Sequence, residues 1–426
     1  MKRAVAIVLL VLLTLAAVVA ALNFRDEERI DASLTPPLGP SPATPEQIAR
    51  GAYLAQAGNC MGCHTLRGGL PYAGGRGIET PFGTVYASNL TPDLTTGIGR
   101  WTPAHFWRAL HNGRSRDGRL LYPAFPYTNY TLLKREDSDA IYAYLRSLPP
   151  VVQANRTHGL SFPFNTQPAL AVWRALYFEP GPLVSDAEQS TEWNRGAYLV
   201  QGLGHCNACH GRRNVLGATS GTLDLSGGLI PMQNWYAPSL SDPHEAGVAG
   251  WDTQQVVEML KNGVTRGASV LGPMAEVVNG STQHLSDTDL RAMAVYLKAL
   301  PTAPSERAAT APASDVASSR GAKLYEQHCV SCHGDKGEGV PGAYPALAGN
   351  RAVTMKSPAN LVRIVLEGGF APSTAGNPRP YGMPPFATTL SNDDTAALLS
   401  FVRAAWGNQS PSVSVLEVSR YRGTAR

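Results

Sequence analysis

All six cysteines of this chain fall into three pairs of the form Cys-x-x-Cys, and a histidine directly follows each pair. The three sets are Cys60, Cys63 and His64; Cys206, Cys209 and His210; and Cys329, Cys332 and His333. Two thiols at this spacing lie on one helical turn and can both bond to the vinyl groups of a haem, while the adjacent histidine is held beneath the iron. The sequence therefore predicts three covalent c-type haems (heme c) and leaves no cysteine for a disulfide.

Two other kinds of site contain Cys-x-x-Cys pairs. A redox dithiol uses a single pair beside a strand–helix unit, and a zinc ribbon combines two pairs within one domain. In this chain the pairs lie far apart, and every pair has the trailing histidine. Haem attachment is therefore favoured over a zinc site or a redox dithiol.

The segments that flank the three motifs are also repeated. The tripeptide Arg-Gly-Ala precedes each first cysteine and indicates the same opening helix at Arg50, Arg195 and Arg320. A second recurring segment has apolar residues at helical spacing and predicts closing helices at 137–145, 286–297 and 391–402. We therefore predict an all-α fold of three tandem cytochrome-c-type helical haem domains, preceded by an N-terminal transmembrane or signal helix.

The predicted boundaries follow from the repeats and from changes in composition. The haem domains are predicted at 45–150, 191–301 and 319–407. The other segments are a signal or transmembrane anchor, a linker, a packed connector, a flexible linker and a C-terminal tail, at 1–24, 25–44, 151–190, 302–318 and 408–426. Aromatic residues in the connector predict packing and a short helix around 169–177, and the alternating pattern of 412–422 predicts a strand or an extended arm.

The N-terminus is predicted to direct the chain out of the cytoplasm. Lys2 and Arg3 precede an apolar run from Ala4 to Leu22, and a charged segment follows at 25–29. The run falls within the roughly 17 to 25 residues that span a bilayer, so an uncleaved anchor competes with a cleaved signal peptide. Either outcome exports the remainder. The formal net charge of +4, with no dense basic cluster, argues against a nucleic-acid partner.

Methionine is the commonest sixth ligand of a c-type haem used for electron transfer. Met383, in Tyr-Gly-Met-Pro-Pro-Phe just before the last closing helix, is the candidate in the third domain. Met274, in Gly-Pro-Met-Ala-Glu, is the candidate in the second domain. The alternative for both is a methionine that only fills core space.

The first domain breaks this pattern, because Phe125 stands where a methionine is expected. Haem 1 is therefore predicted to be five-coordinate or to have another ligand, with a lower potential or a different spectrum. His105, His111 and His158 are the other histidines available there, the first two on a predicted helix at 104–111 and expected at its surface.

Three further residues beside the motifs have simpler predicted roles. His205 and His328, which directly precede attachment cysteines, are expected to be solvated. The carbonyl of Pro345 is predicted to accept a hydrogen bond from His333 and so to fix the tautomer of the ring.

Longer stretches of the sequence carry a resemblance to a known family. They are 74–86, 89–102, 234–240, 272–278 and 342–350. With them, nearly the whole chain after residue 45 resembles the triheme cytochrome c subunits of bacterial membrane-bound dehydrogenases that oxidise alcohols, aldehydes or sugars. The family usually has Tyr-Pro-Ala-Met-Pro-Tyr where this chain has Phe125 as the fourth of the six residues.

The resemblance implies an electron-transfer subunit that is not an enzyme by itself. In such complexes a catalytic subunit with a pyrroloquinoline quinone (PQQ), FAD or molybdenum cofactor oxidises the substrate. The cytochrome subunit, on the periplasmic face of the bacterial inner membrane, passes the electrons to ubiquinone or a terminal oxidase. Two alternatives stay open: a free-standing oxidase-linked cytochrome, and a haem 1 that binds peroxide or another small ligand.

Overall fold

The computed structural model describes residues 1–25, 27, 30, 43–303 and 315–422. Most of the two predicted linkers, 25–44 and 302–318, lies outside the described residues. The helices are α1 Lys2–Asn23, α2 Pro45–Ala57, α3 Cys60–His64, α4 Pro103–Asn112, α5 Tyr127–Tyr130, α6 Arg135–Ser147, α7 Gln167–Tyr177, α8 Thr191–Ala197, α9 Asn207–His210, α10 Thr253–Asn262, α11 Pro273–Gly280, α12 Asp287–Lys298, α13 Asp315–His328, α14 Val330–His333, α15 Arg351–Thr354, α16 Ala359–Glu367, α17 Asn392–Ala404 and α18 Val415–Tyr421. A π-helical turn, Tyr198–Leu203, follows α8, and a short 3-10 turn, Thr282–His284, follows α11.

The structure is mostly helical, but it also contains short antiparallel strands, so the prediction of an all-α fold needs correction. The strands are β1 Gly77–Thr80, β2 Gly83–Tyr86, β3 Gly159–Leu160, β4 Gly228–Leu229, β5 Tyr236–Ala237, β6 Val264–Thr265, β7 Ala268–Ser269, β8 Gly369–Phe370 and β9 Gly382–Met383. The first three form one sheet in the order β1-β2-β3, and the others pair as β4-β5, β6-β7 and β8-β9. Most of these strands are two residues long and lie in Gly- and Pro-rich loops, which is why periodicity did not reveal them.

An opening helix packs against a closing helix three times: α2 with α6, α8 with α12, and α13 with α17. The glycine of each Arg-Gly-Ala tripeptide lies at the crossing. A Cβ atom at Gly51 would come within 1.9 Å of the carbonyl oxygen of Ala140, and the corresponding distances at Gly196 and Gly321 are 2.0 and 2.3 Å. Only glycine allows the two backbones to approach this closely, which explains the repeated residue.

The arginine of the same tripeptide forms an ion pair with the closing helix. The pairs are Arg50 with Asp137, Arg195 with Asp289, and Arg320 with Asp394. Their Nε–Oδ1 distances are 2.9, 2.8 and 2.9 Å in that order. Each aspartate is the third residue of its helix, where the partial positive charge of the helix N-terminus also stabilises a carboxylate. The repeated tripeptide therefore fixes both the distance and the register of each helix pair.

Two further predictions concern the connector and the C-terminal tail. Helix α7 confirms the helix predicted around 169–177. In the tail, the strand or extended arm predicted at 412–422 is wrong, because helix α18 occupies most of it. The helix begins at a capping box in which Ser414 and Glu417 each bind the other's backbone N–H, and this local signal outweighs the alternating pattern. Val418 and Tyr421 are buried in the core beneath it.

The contacts divide the chain into two compact units. Unit 1 comprises Met1–Asp186, Tyr198–His205 and Asn214–Thr222, and unit 2 comprises Ala187–Ala197, Cys206–Arg213 and Leu223–Arg426. Unit 1 holds the first helix pair, and unit 2 holds the second and third pairs. The division into three domains stays a prediction.

Helix α1 is long and apolar enough to cross a membrane. Its 22 residues have a mean hydropathy of 3.1 over their most apolar stretch, and no residue of that stretch is buried within the described structure. Asn23, the last residue of the helix, is by contrast buried. Its side-chain amide donates to the carbonyl of Ala171 in α7 at 2.8 Å, so the end of α1 is docked on unit 1.

Candidate haem-binding sites

Each attachment motif occupies one short helical turn. Helix α3 carries the first motif, whereas Cys206 and Cys329 are the N-caps of α9 and α14. None of the six cysteines, all of which the structure describes, forms a disulfide. Burial, and after it the neighbouring thiol, raises the pKa of Cys60 and Cys206 to about 12 and that of Cys329 to about 11. The first thiol of each pair is therefore protonated at neutral pH before it bonds to a haem.

Each motif histidine is oriented by a backbone carbonyl. The Nδ1 atoms of His64, His210 and His333 lie 2.7, 2.7 and 2.9 Å from the carbonyl oxygens of Ser88, Pro238 and Pro345. The bond to Pro345 confirms the prediction for the third site. A ring whose Nδ1–H donates to a carbonyl has the lone pair on Nε2, which is the arrangement typical of a histidine that binds a metal.

Burial also favours the neutral form of the three rings. Burial lowers the pKa of His64, His210 and His333 below the usual range, and this outweighs the opposite effect of the bonded carbonyls. A neutral imidazole is the form that binds iron. Together with two thiols on the same helical turn, the donor set at each site therefore fits a covalent haem.

A glycine adjoins each of these histidines, and sequence analysis missed its role. The N–H groups of Gly74, Gly227 and Gly339 donate to the carbonyls of His64, His210 and His333 at 2.7 to 2.8 Å. All three glycines have a positive φ, between 65° and 79°. A Cβ on any of them would come within 2.5 to 2.6 Å of the peptide segment that supplies the carbonyl to the imidazole. The glycines therefore hold the histidine and its acceptor together. They follow their histidines by 10, 17 and 6 residues, so the sequence offered no regular spacing from which to predict them.

Side-chain oxygens fix the acceptor peptides of the first two sites. The N–H of Asn89, which follows Ser88, donates to Oδ1 of Asn155 at 2.8 Å. The N–H of Ser239, which follows Pro238, donates to Oε2 of Glu245 at 2.6 Å. Asn155 and Glu245 lie far from the motifs in sequence, so only the tertiary structure shows that they hold the acceptor peptides.

In the second site, a pair of hydrogen bonds from the third repeat also holds the acceptor segment. The N–H of Tyr236 donates to Oδ1 of Asn360 at 2.8 Å, and the amide of Asn360 donates back to the carbonyl of Tyr236 at 2.7 Å. Both residues belong to unit 2. Tyr236 is two residues before Pro238, so α16 constrains the strand that leads to the carbonyl bonded to His210.

The two candidate methionine ligands lie in different local structures. Met383 is in strand β9, half-buried, and packs against the core that also contacts Cys329 and Phe386. Met274 is the second residue of α11 and is half-buried. It follows Gly272, where a Cβ would come within 2.7 Å of the Trp235 ring.

In the first site, Phe125 lies among aromatic side chains. Its ring centroid is 6.4 Å from that of Tyr127 and 5.4 Å from that of Tyr130. The hydroxyl of Tyr130 donates to the carbonyl of Gly58 at 3.2 Å, two residues before the first attachment cysteine. Burial, followed by the nearby thiols of Cys60 and Cys63, raises the pKa of Tyr130 well above its usual value. An aromatic cluster therefore adjoins the first attachment turn.

The three additional histidines of the first domain are held by bonds of their own. His105 and His111 are buried, so their expected surface position is wrong, because most residues of α4 are covered by the rest of unit 1. Nδ1 of His105 accepts from the N–H of Thr102 at the start of α4, and Nδ1 of His111 bonds the carbonyl of Thr131 at 2.9 Å. Nδ1 of His158 accepts from the N–H of Tyr86 at 3.1 Å. Each of these bonds orients its ring through Nδ1, and the sixth ligand of haem 1 stays an open prediction.

The histidines that precede attachment cysteines are also less exposed than expected. Nε2 of His205 lies 3.3 Å from the carbonyl oxygen of Gly58, and its ring packs edge-on against Tyr130 with centroids 5.6 Å apart. The expectation of a solvated ring is therefore wrong for His205. His328 is half-buried against Phe386.

Comparisons with known proteins agree with this geometry. The cytochrome c family model matches residues 48–149 and 318–406. The chain is 38% identical over 396 residues to the cytochrome c subunit of the quinone alcohol dehydrogenase of Gluconacetobacter polyoxogenes, covering 88% of this chain and 84% of that protein. It is 36% identical over 383 residues to the gluconate 2-dehydrogenase cytochrome c subunit of Pantoea cypripedii, covering 85% and 86%. Identity to the fructose dehydrogenase cytochrome subunit of Gluconobacter japonicus is 35% over 417 residues, covering 91% and 85%.

Proposed function

The chain belongs to the family of cytochrome c subunits of dehydrogenase complexes, and on this premise we propose that it carries three covalent haems that relay electrons to a membrane acceptor. Members of this family are electron-transfer subunits, and a separate subunit catalyses substrate oxidation. Haem, when bound, supplies reversible one-electron exchange at its iron. The protein's own residues attach it, orient it and set its environment.

The observation that carries the proposal is the histidine geometry repeated at all three motifs. The family model matches the first and third repeats, and the second site has the same Nδ1–carbonyl bond at the same 2.7 Å as the first. We assign the six cysteines to attachment and His64, His210 and His333 to the proximal positions. Met274 and Met383 are assigned as sixth ligands of haems 2 and 3, and haem 1 has no methionine because Phe125 replaces it.

The electron donor is proposed to be the catalytic subunit of the complex. Its cofactor belongs to one of three classes: pyrroloquinoline quinone, FAD or molybdenum. The acceptor is ubiquinone or a terminal oxidase. Purification in mild detergent tests the assembly, and a large cofactor-bearing subunit is expected to co-purify. Isolation of the chain alone from cells that express its genomic neighbours would instead favour a free-standing oxidase-linked cytochrome.

We also propose that α1 is retained and anchors the chain at the periplasmic face of the inner membrane. Its last residue is built into unit 1, because Nε of Arg174 donates to Oδ1 of Asn23 at 2.9 Å and Arg114 donates to the Asn23 carbonyl at 3.0 Å. Glu27, just beyond the helix, pairs with Arg114 at 2.9 Å. Cleavage within α1 would remove the helical turn that places Asn23 between these buried arginines.

Haem stoichiometry tests the central claim. Three haems per chain are expected by the pyridine haemochrome assay, and they should resist acid–acetone extraction because they are covalently bound. The double variant C206S/C209S should lose one third of the haem, and C60S/C63S and C329S/C332S should behave alike. Fewer than three haems in the unsubstituted chain, or release by acid–acetone, contradicts the proposal. Intact mass of the same sample shows whether residues 2–22 are present.

A second candidate function is favoured by Phe125 alone. A first haem without a methionine has a coordination position that peroxide, carbon monoxide or cyanide can occupy. Addition of cyanide is then expected to change the spectrum of one haem in three. A spectrum that stays unchanged eliminates this candidate and leaves electron transfer unaffected.

A further inference from the structure

Helix α7 is docked on the end of the apolar helix α1. The two helices pack together, the amide of Asn23 donates to the carbonyl of Ala171, and Nε of Arg174 donates to Oδ1 of Asn23. Asn23 is the last residue of α1. If α1 spans the bilayer, its C-terminal end lies at the bilayer surface, and these bonds hold α7 at the same level.

The two faces of α7 have opposite surroundings. Leu170 and Arg174, one helical turn apart, are buried in unit 1. On the opposite face, Val172 and Leu176 are also one turn apart, and 48% and 63% of their surfaces are exposed. Helical geometry places residue 172 about 200° from residue 170. The helix therefore presents an aliphatic row away from the protein.

Further apolar and aromatic residues extend this exposed row. The Trp173 ring packs against Tyr177 with centroids 5.5 Å apart, and Nε1 of Trp173 donates to the carbonyl of Leu216 at 2.9 Å. Val215, next to Leu216, is 93% exposed. Tryptophan and tyrosine with one polar and one apolar side are enriched where protein meets the lipid headgroups. An exposed apolar surface of this kind on a water-facing helix indicates a binding partner.

We propose that α7 lies in the boundary between lipid headgroups and acyl chains and forms a second membrane contact of this subunit. Lipid is the partner because α7 is docked on the end of α1, which enters the same bilayer. The inference rests on the proposed anchor. An amphipathic helix in this position fixes the orientation of unit 1 relative to the membrane plane, which a single spanning helix does not do.

Site-directed spin labelling of the haem-loaded full chain tests this proposal. The six native cysteines are consumed by haem, so V172C and L176C each introduce the sole reactive thiol. The labelled chains are placed in vesicles of phosphatidylethanolamine and phosphatidylglycerol. Power saturation then compares collisions with oxygen, which dissolves in lipid, and with a water-soluble nickel chelate. L416C is the control, because Leu416 is a 79% exposed leucine on another short helix, α18.

Oxygen should be several-fold more effective than nickel at 172 and 176, with the reverse at 416. Nickel accessibility at 172 and 176 equal to that at 416 overturns the proposal, as does protection from both reagents, which indicates a protein partner. A label in α1, at L12C, separates the proposed membrane anchor from the proposed membrane contact of α7. A water-exposed L12C removes the anchor, whereas a lipid-exposed L12C with water-exposed labels at 172 and 176 removes only the inference about α7. The haem content of each variant shows whether it has folded. If either V172C or L176C fails to fold, the other still tests the proposal.

Discussion

At the scale of single residues, the chain orients its three motif histidines with the same set of atoms. A short helical turn presents two thiols and a histidine, a carbonyl binds Nδ1, and a glycine joins the histidine backbone to the acceptor peptide. The residues that supply the accepting carbonyl differ: a serine, Ser88, at the first site and a proline at each of the other two. Because a backbone carbonyl orients each imidazole, the residue that supplies the carbonyl need not have a particular side chain.

Gly227 is expected to be a positioning residue for His210. An alanine there places a Cβ 2.6 Å from the backbone nitrogen of Ser239 at a φ of 79°. G227A should therefore cost about 1–3 kcal/mol of stability and shift the potential and ligand-field spectrum of one haem. The control is G267A, which has a φ of 76° but, among the described residues, no atom within 4 Å of the new Cβ. Equal spectra for both variants would refute a positioning role.

Met383 is expected to act as a ligand and not only as a core residue. M383A should lower the midpoint potential of one haem by a substantial part of the ~0.8 V range that axial ligands cover. M355A removes a buried methionine of the same repeat and should cost about 2–5 kcal/mol in stability without moving a potential. Potentiometric titration of both variants separates the roles. Conversely, F125M should raise the potential of the lowest haem.

Asp93 gives the stability of the folded chain a defined pH dependence. Hydrogen bonds from the side chain and backbone of Thr96, and from Thr95, lower the pKa of Asp93 to about 2 from its ordinary value of 3.8. A carboxylate with a depressed folded-state pKa contributes stability that is complete above the unfolded value and lost as the pH falls through the folded value. D93N should therefore be less stable than the parent chain above about pH 4, and the difference should disappear below about pH 2. Denaturant unfolding of both chains across this range checks the expectation.

At the scale of elements, the molecule is built from helix pairs whose spacing depends on the Arg-Gly-Ala tripeptide. The glycine permits the crossing and the arginine sets its register through an aspartate at the third position of the closing helix. The loops between the pairs present the carbonyls that orient the histidines. In unit 2, one such loop is also bonded to α16 of the next repeat.

Asn360 is therefore expected to influence the second haem from the third repeat. N360A removes two hydrogen bonds to Tyr236 and should reduce stability by about 1–3 kcal/mol. Because the released strand leads to Pro238, the variant should also shift the spectrum or potential of haem 2. N392A, which removes an acceptor for Arg422 within the third repeat, is the matched control. A change confined to haem 3, or no change, contradicts the coupling.

At the scale of the whole molecule, covalent cofactors and an N-terminal helix give the chain its place in a larger assembly. Helix α1 is exposed along its apolar length, yet its last residue is buried among arginines of unit 1. Helix α1 is thus connected to the rest of unit 1 through specific polar bonds and not only through the peptide chain.

Asn23 is the residue that makes this connection. N23L leaves Nε of the buried Arg174 without its acceptor, so the thermal stability of unit 1 should fall by about 1–3 kcal/mol. T14L is the control within the same helix, because the Thr14 hydroxyl donates to the carbonyl of Leu10 in the preceding turn and, among the described residues, makes no bond outside α1. Calorimetry of the detergent-purified chains distinguishes them, and equal melting temperatures would mean that the docked end of α1 contributes nothing.

Local patterns made several features predictable. The Cys-x-x-Cys-His motif needs only one helical turn, and the bond between His333 and Pro345 joins residues close in sequence. The helix α7 was predicted from the aromatic and apolar composition of the connector. The prediction of a strand or an extended arm at 412–422 was wrong because a short capping box outweighs the alternating apolar pattern. The burial of His105 and His111 was missed because the sequence of one helix does not show how much of it the rest of the chain covers.

The sequence by itself determined the chemistry: six thiols and three histidines at a spacing that one helical turn brings together. Tertiary structure decided what surrounds that chemistry. Asn155, Glu245 and Asn360 reach the acceptor segments only because distant parts of the chain meet there. The physical reason is that covalent attachment depends on neighbours along the chain, whereas the orientation of an imidazole depends on whichever backbone atoms the fold places beside it.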